Sequence, residues 1–89
     1  MQKDALTALN VNLFGILRER VKSSNLVISI KNNSISLKDL RKYVLELYPA
    51  LDLNDINFVF AVNRVIITNE DIIVFPHDEI ALIPPISGG

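Results

Sequence analysis

Ile80-Ala-Leu-Ile-Pro-Pro-Ile-Ser-Gly-Gly89 ends this chain of 89 residues, and the rest of the sequence is best understood from it. Residues 80–83 are apolar and predict a buried strand. The Pro84-Pro85 pair ends sheet pairing, because proline has no N–H to donate. We expect residues 84–89 to form a flexible tail, which at about 3.3 Å per residue can reach roughly 20 Å.

The tail ends in Gly88 and Gly89, although only 3 of the 89 residues are glycine. Glycine has no Cβ, so this backbone can approach a partner's atoms closely. The alternative is a frayed terminus without a role, since chain ends are often poorly ordered. The low glycine content favours the functional interpretation, in which the Gly89 carboxylate is presented to another molecule.

Composition excludes several classes of site. The chain has no cysteine, so disulfides and thiolate metal sites are excluded. Its 9 basic and 10 acidic residues give a net charge of −1, which offers no electrostatic footprint for nucleic acid or anionic lipid. No apolar run approaches the 18 or so residues of a membrane span. We expect a cytoplasmic protein with a single domain, residues 1–89, and neither a nucleic acid nor a membrane as partner.

The first half of the chain shows clear strand periodicity. Residues 6–14 alternate, with Leu9, Val11 and Leu13 on one face, and Phe14 falls on the opposite, polar face. A short helical turn is expected over residues 16–21. The next strand has an apolar face made of Leu26, Ile28 and Ile30, and it most simply pairs antiparallel with the first.

The main helix is predicted by its cap and its apolar stripe. Ser36 caps the helix, with Asp39 three residues on, and Pro49 ends it. The apolar stripe is predicted to pack against a sheet and comprises Leu37, Leu40, Val44, Leu47 and Tyr48. The opposite, polar face is predicted to contain Lys38, Arg41, Lys42 and Glu46.

The remaining segments are short. An acidic connection over residues 51–57 precedes a strand over residues 57–63, which has Phe58, Phe60 and Val62 on one side. A short strand is expected over residues 65–68, and residues 72–75 are apolar but short. The order of elements predicts an α+β roll of the β-grasp type, with a mixed sheet of four to five strands and one main helix across one face. In such a roll the first and last strands lie parallel in the middle of the sheet.

No self-sufficient active site is visible in the sequence. His77 is the only histidine, in a turn among acidic residues, and it predicts a solvated turn residue and no metal site. If the protein takes part in catalysis, the reactive atom is the carboxyl carbon of Gly89. An α-carboxyl has a pKa near 3.5 and is therefore an unreactive anion at neutral pH. It requires activation, most simply as an acyl-adenylate that another enzyme makes with ATP.

Several motifs carry a resemblance across essentially the whole chain. They are Val11-Asn-Leu-Phe-Gly-Ile-Leu-Arg-Glu19, Ser36-Leu-Lys-Asp-Leu40, Ala61-Val-Asn-Arg64, the Asp78-Glu79 turn and, most specific, Ile83-Pro-Pro-Ile-Ser-Gly-Gly89. With these motifs the chain resembles the ubiquitin-like sulfur carriers, and most of all the small subunit of molybdopterin synthase (the MoaD family).

The resemblance implies a mechanism. An adenylating enzyme of the E1 type would join AMP to Gly89, with Gly88 beside it, and a sulfur donor would convert the adenylate to a thiocarboxylate. The tail would then enter the large synthase subunit, where the sulfur passes to a cyclic pterin precursor of the molybdenum cofactor. The implied assembly is a heterotetramer of two small and two large subunits, and no cofactor is bound by the small subunit itself.

A partner-binding surface is also expected. Phe14, Ile66 and Ile83 are apolar at positions whose strand parity faces outward, and the matching family positions form a hydrophobic patch used on both partners in turn. The tail residues expected to contact the partners are Pro84, Pro85, Ile86 and Ser87.

Two other functions remain open at this point. The chain could carry sulfur to another acceptor, as in thiazole synthesis, tRNA thiolation or protein conjugation. It could also be a β-grasp interaction module without covalent chemistry.

Overall fold

A computed structural model describes residues 6–52 and 58–84. The strands are β1 (Leu6–Leu13), β2 (Asn25–Lys31), β3 (Ile35–Ser36), β4 (Val59–Val62), β5 (Val65–Ile67), β6 (Ile73–Val74) and β7 (Ile80–Ile83). The helices are α1 (Gly15–Val21), α2 (Leu37–Leu47) and a 3₁₀ turn (Pro49–Leu51). The predicted tail residues from Pro85 to Gly89, including Ile86, Ser87 and Gly88, lie outside the described residues.

Five strands form the main sheet in the order β2-β1-β7-β4-β5. β1 pairs antiparallel with β2 and parallel with β7, while β7 pairs antiparallel with β4. The first and last long strands therefore lie side by side in the middle of a mixed sheet. This arrangement confirms the predicted β-grasp roll, and it fixes the base of the tail between two neighbouring strands.

The inner face of the main sheet is closed by α2 and the 3₁₀ turn. Residues of β1, β2, β4 and β7 that share one parity are buried on this face together with the apolar side of α2, because side chains alternate along a strand. The strand residues buried on the inner face are Leu9, Val11, Leu13, Leu26, Ile28, Ile30, Phe60, Ile80 and Leu82. Every inward position predicted for β1 and β2 is thus confirmed.

Helix α2 begins as predicted. The Asp39 backbone N–H donates to Ser36 Oγ at 3.1 Å, and Leu37, Leu40 and Val44 are buried. The stripe prediction is wrong at Leu47, which is an exposed residue of the last turn. At 100° per residue, Leu47 lies about 55° from the mean direction of Leu37, Leu40 and Val44, so it is at the edge of the buried face, and it is the last residue of the helix.

The assignment of Arg41 to the polar face is also wrong. Arg41 follows Leu37 by four residues and precedes Val44 by three, so it shares their face of the helix. Its Nε donates to both carboxylate oxygens of Glu70, at 2.9 and 3.2 Å, and its Nη2 donates to the Phe58 carbonyl at 2.8 Å. The guanidinium carbon lies 4.3 Å from the centroid of the Phe58 ring. Arg41 therefore joins α2 to the Glu70 loop and to the chain before β4.

Two short features were not predicted. β3 and β6 form a separate antiparallel pair, in which Ile35 is opposite Val74, and this pair ties the start of α2 to the chain beyond β5. Leu51 was assigned to an acidic connection, but it is buried in the core at the end of the 3₁₀ turn. Both features depend on tertiary contacts of segments of two or three residues, which have no periodicity of their own.

In the described segments, no helix is long and apolar enough to cross a membrane.

Candidate functional site

The outer face of the main sheet has a floor of two alanines. The strand register places Asn12, Ala81, Ala61 and Ile66 in one row across β1, β7, β4 and β5. Ala61 is 5% exposed and Ala81 is 9% exposed, and both line a cavity together with the larger side chains of neighbouring residues. The small residues at the centre of the row therefore create a depression in the sheet surface.

The depression is an open cavity of about 250 Å³. Its lining consists of Phe14, Ala61, Arg64, Glu79, Ala81 and Ile83. Drug-sized ligands occupy pockets of roughly 300 to 1,000 Å³, so a cavity below that range suits one or two side chains of a partner better than a small molecule.

The predicted docking residues lie on this face. Phe14 precedes α1 and is 50% exposed, and Ile83 is half-buried at the end of β7. These two residues line the same cavity. Ile66 is 53% exposed and stands opposite Ala61 in the row, beside the cavity rather than in its lining. The structure thus brings Phe14, Ile66 and Ile83 onto one surface, and their role in docking stays a prediction.

One end of the cavity is charged. Asn63 and Arg64 join β4 to β5 in a two-residue turn with φ values of 52° and 70°. Positive φ at both central residues is the signature of a type I′ hairpin turn, in which glycine is preferred at the second of them. Arg64 Nε lies 3.4 Å from Glu79 Oε1, and both side chains are solvated. The turn therefore holds an arginine in a backbone region that costs a non-glycine residue roughly 1–2 kcal/mol.

A hydrogen-bond network supports the charged end. Asn63 Oδ1 accepts from the Glu79 N–H at 2.9 Å, and the Asn63 N–H donates to the Glu79 carbonyl at 2.7 Å. Asn63 Nδ2 donates to Asp78 Oδ1 at 3.0 Å, and the Phe75 N–H donates to Asp78 Oδ2 at 2.8 Å. These bonds, first from Asn63 and then from Phe75, lower the pKa of Asp78. His77 stacks on Phe75 and is exposed, as expected of a turn residue.

The base of the tail lies beside the cavity. Pro84 is half-buried, and a Cβ added to Gly15 would lie 3.0 Å from Pro84 Cγ. Gly15 has a φ of 59°, a conformation that residues with a Cβ rarely adopt. Neither this contact nor the Asn63–Asp78 network was predicted. A glycine directly after a strand was the available signal for the first, and an Asn and an Asp in neighbouring turns for the second.

The described residues offer no obvious catalytic machinery. Within residues 6–52 and 58–84, no three His, Asp or Glu side chains converge in a way that could hold a metal ion. What the arrangement supplies is an apolar cavity with exposed apolar side chains around it and, directly next to it, Pro84, the first residue of the predicted tail. Because the tail itself lies outside the described residues, its predicted role stays a prediction.

Comparison with known proteins agrees with this fold. The structure is similar to that of small archaeal modifier protein 1 from Haloferax volcanii, with a TM-score of 0.72, 22% identity and coverage of 93% of this chain and 100% of the other. It is similar to the same modifier from Methanosarcina acetivorans, with a TM-score of 0.64, 22% identity and coverage of 96% and 99%. At these identities the likeness shows the fold alone.

A third solved structure is similar in sequence as well. It is the complex of subunits 1 and 2 of molybdopterin-converting factor from Helicobacter pylori, with 30% identity, a TM-score of 0.60 and coverage of 93% of this chain and 100% of the other. A search of curated protein sequences found no match. The predicted resemblance to MoaD-type sulfur carriers is confirmed at the level of the fold and the wider family. The ThiS family model matches residues 11–89, and the chain therefore belongs to the ThiS family.

Proposed function

We propose that this protein is the sulfur-carrier subunit of a molybdopterin synthase, and that a thiocarboxylate at Gly89 donates its sulfur to a cyclic pterin precursor. The observation that carries the proposal is the 30% identity to molybdopterin-converting factor over 93% of the chain, in a structure where subunits 1 and 2 form a complex. The Pro-Pro-Ile-Ser-Gly-Gly ending, which the family match includes, is the second support.

The chemistry starts from the Gly89 carboxylate. One of its oxygens attacks the α-phosphorus of ATP on an adenylating enzyme, the bond to the β-phosphate breaks, and pyrophosphate leaves. Hydrosulfide from the sulfur donor then attacks the acyl carbon and loses its proton, and AMP leaves with the bonding electron pair. The product is a thiocarboxylate, whose sulfur attacks the acceptor. Water then hydrolyses the resulting thioester, which leaves the sulfur on the acceptor and regenerates the Gly89 carboxylate. ATP thus belongs to the activating partner, and this chain contributes the acyl group.

Contacts of the folded surface with a partner have to compensate for the backbone entropy that the tail loses when it becomes ordered. Fixing the backbone of one residue costs about 1–2 kcal/mol, so a tail of several residues binds weakly by itself. The outer face supplies the additional contacts, with Phe14, Ile66 and Ile83 around the alanine floor. Both the large subunit and the adenylating enzyme would use this surface, in turn. Two sulfurs per product fit an assembly of two small and two large subunits.

A second function has a specific support. The two similar archaeal structures are of modifier proteins, so the same fold also fits a ubiquitin-like sulfur carrier for another pathway. That pathway would be thiazole synthesis, tRNA thiolation or protein conjugation. An interaction module without covalent chemistry is the third possibility, and the cytoplasmic location stays a prediction.

The test is native mass spectrometry of an N-terminally tagged copy that is purified from its own host. The proposal predicts a terminal oxygen replaced by sulfur and a co-purifying pterin-binding subunit. A sulfur-bearing chain with a different partner would favour the second function. If the carboxylate stays unmodified even after incubation with the adenylating enzyme, ATP and a sulfur donor, the remaining function is an interaction module without covalent chemistry.

A matched control is a variant with one alanine added after Gly89. Its terminal carboxylate is displaced by one residue, so we expect loss of sulfur loading with an unchanged melting temperature. A large fall in melting temperature would instead mean that the tail stabilises the fold, and that loading was lost for that reason.

A further inference from the structure

The turn between β1 and α1 touches the root of the tail. β1 and β7 are parallel, and Leu13 pairs with Leu82, so the residues that follow, Gly15 and Pro84, come together at the same end of the sheet. An added Cβ on Gly15 would lie 3.0 Å from Pro84 Cγ and 3.7 Å from Pro84 Cδ. We propose that Gly15 is a positioning residue, which lets Pro84 seat against the turn and so sets the direction in which the tail leaves the domain.

Two independent properties require a glycine here. The φ of 59° disfavours any residue with a Cβ, and a Cβ 3.0 Å from Pro84 Cγ would require the proline ring to give by a few tenths of an ångström. The second property is the informative one, because the neighbour that must move is the first residue of the tail. A turn that needed glycine only for its backbone conformation would not require the contact with Pro84.

A shift of Pro84 displaces the start of the tail. Pro84 is followed by Pro85 in the sequence, and a proline ring restricts φ, so the tail begins with two residues of low backbone freedom. A shift of Pro84 therefore changes the point and the direction from which the tail leaves the domain. A misplacement of 1 Å at a reacting atom can reduce a rate by about 10²-fold.

The direction is also set relative to the docking surface. Phe14 and Ile83, the residues directly before Gly15 and Pro84, both line the cavity on the outer face. A partner bound at that cavity therefore receives the tail from a fixed point beside its own contacts. Gly15 thereby couples where the partner docks to where the reactive carboxylate arrives.

This inference rests on the proposed function, because it is tested through activation of Gly89. The assay is steady-state pyrophosphate release from ATP by the E1-like adenylating enzyme of the same organism, with the full chain as the varied substrate. Gly15→Asn is the main variant, because asparagine tolerates positive φ better than other residues with a Cβ but still places a Cβ against Pro84. Gly15→Ala places the same Cβ with a larger backbone penalty.

A positioning role predicts that kcat falls while KM does not change. For Gly15→Asn and Gly15→Ala we expect kcat to fall about tenfold or more, while KM for the carrier stays within twofold. If glycine served only the backbone conformation, Asn would retain much more activity than Ala. Unchanged kcat in a folded Gly15→Asn variant would overturn the inference, and a rise in KM alone would assign Gly15 to docking instead.

Pro84→Ala tests the contact between Gly15 and Pro84 without changing the sequence of the turn. It leaves Gly15 in place and removes the ring atoms that the added Cβ would meet, so kcat should again fall with KM unchanged. Combining it with Gly15→Ala should cause little further loss, since the two changes act through one contact. Full kcat for Pro84→Ala, or independent losses in the double variant, would overturn the inference. If the wild-type chain itself releases no pyrophosphate, the proposed function fails instead.

Discussion

The two faces of the five-stranded sheet differ in what they contribute. The buried positions of the inner face are all apolar, and α2 and the 3₁₀ turn cover them. The outer face has a shallow alanine floor, with exposed apolar residues around it and a charged pair at one end. Since burial of apolar area is the main source of stability, the inner face should determine whether the chain folds. The outer face contributes less buried apolar area, and its predicted role is docking.

Isoleucines on the two edge strands give the most direct test of this difference. Ile28 on β2 is buried on the inner face, and Ile66 on β5 is exposed on the outer face. We expect Ile28→Ala to reduce the free energy of unfolding by about 2–5 kcal/mol, because it leaves a cavity in the core. Ile66→Ala should cost less than about 1 kcal/mol. Urea unfolding measures both, and similar losses would mean that the outer face also contributes to the core.

Arg41 tests whether the inner side depends on a charged group. Arg41→Ala removes its hydrogen bonds to Glu70 and Phe58, and it leaves a partly buried carboxylate without this partner. We expect a loss of about 1–3 kcal/mol in the free energy of unfolding. The control is Glu79→Ala, whose ion pair with Arg64 is solvated and should contribute less than about 1 kcal/mol. Equal effects for the two variants would contradict a structural role for Arg41.

Much of this fold could be predicted from periodicity. The alternation in β1 and β2 identified their buried faces, and the Ser36 cap identified the start of α2. Arg41 was misassigned because its charge was given more weight than its helical position, and its partner Glu70 lies 29 residues further on. The spacing of residues shows which face of a helix each side chain occupies. It does not show which distant carboxylate will pair with an arginine on the buried face.

The candidate site was predicted less completely. Strand parity placed Phe14, Ile66 and Ile83 on the outer face, and the structure brings all three there. The alanine floor went unnoticed, because its shape depends on register across three strands. Gly15 was included in the family motif, but its contact with Pro84 arises from the parallel pairing of β1 and β7, which joins opposite ends of the chain.

A pair of exposed phenylalanines separates binding from folding on the outer face. Phe14 lines the cavity, whereas Phe75 is exposed in the turn beside His77. We expect Phe14→Ala to weaken partner binding by about 1–2 kcal/mol, roughly five- to thirtyfold, because buried aromatic anchors dominate interfaces. Phe75→Ala should leave the dissociation constant unchanged. Titration calorimetry with the partner subunit measures both dissociation constants. An equal loss of affinity for Phe75→Ala would show that the docking surface is not centred on Phe14.

Substitution of Arg64 tests whether the turn at the charged end of the outer face is strained. Its φ of 70° suits glycine, so Arg64→Gly should raise the free energy of unfolding by about 0.5–1 kcal/mol. Arg64→Ala loses the same solvated pair with Glu79, so the difference between the Gly and Ala variants reports the backbone strain alone. Thermal unfolding measures the effect, with Arg64→Ala as the control that removes the charge and keeps the strain. If Gly and Ala were equally stable, the turn would not be strained.

The smallest effect is expected from Asp78, which links the charged end of the outer face to the neighbouring turn. Hydrogen bonds from Asn63 and Phe75 stabilise its carboxylate and lower its pKa in the folded state. Both folded and unfolded chains are ionised at neutral pH, so the contribution is fully present above the unfolded pKa of about 3.9. It is lost as the pH falls through the lower, folded pKa, where the carboxylate accepts a proton.

The unfolding free energy of the wild type should therefore exceed that of Asp78→Asn at pH 7, and the difference should shrink below about pH 4. Asn63→Gly is the matched background, since glycine tolerates the φ of 52° but removes the main donor to Asp78. In that background the difference at pH 7 should be smaller. A difference that stays constant from pH 7 to pH 3 would show that the network binds the neutral acid as well as the carboxylate. In that case the two turns would be joined by geometry rather than by charge.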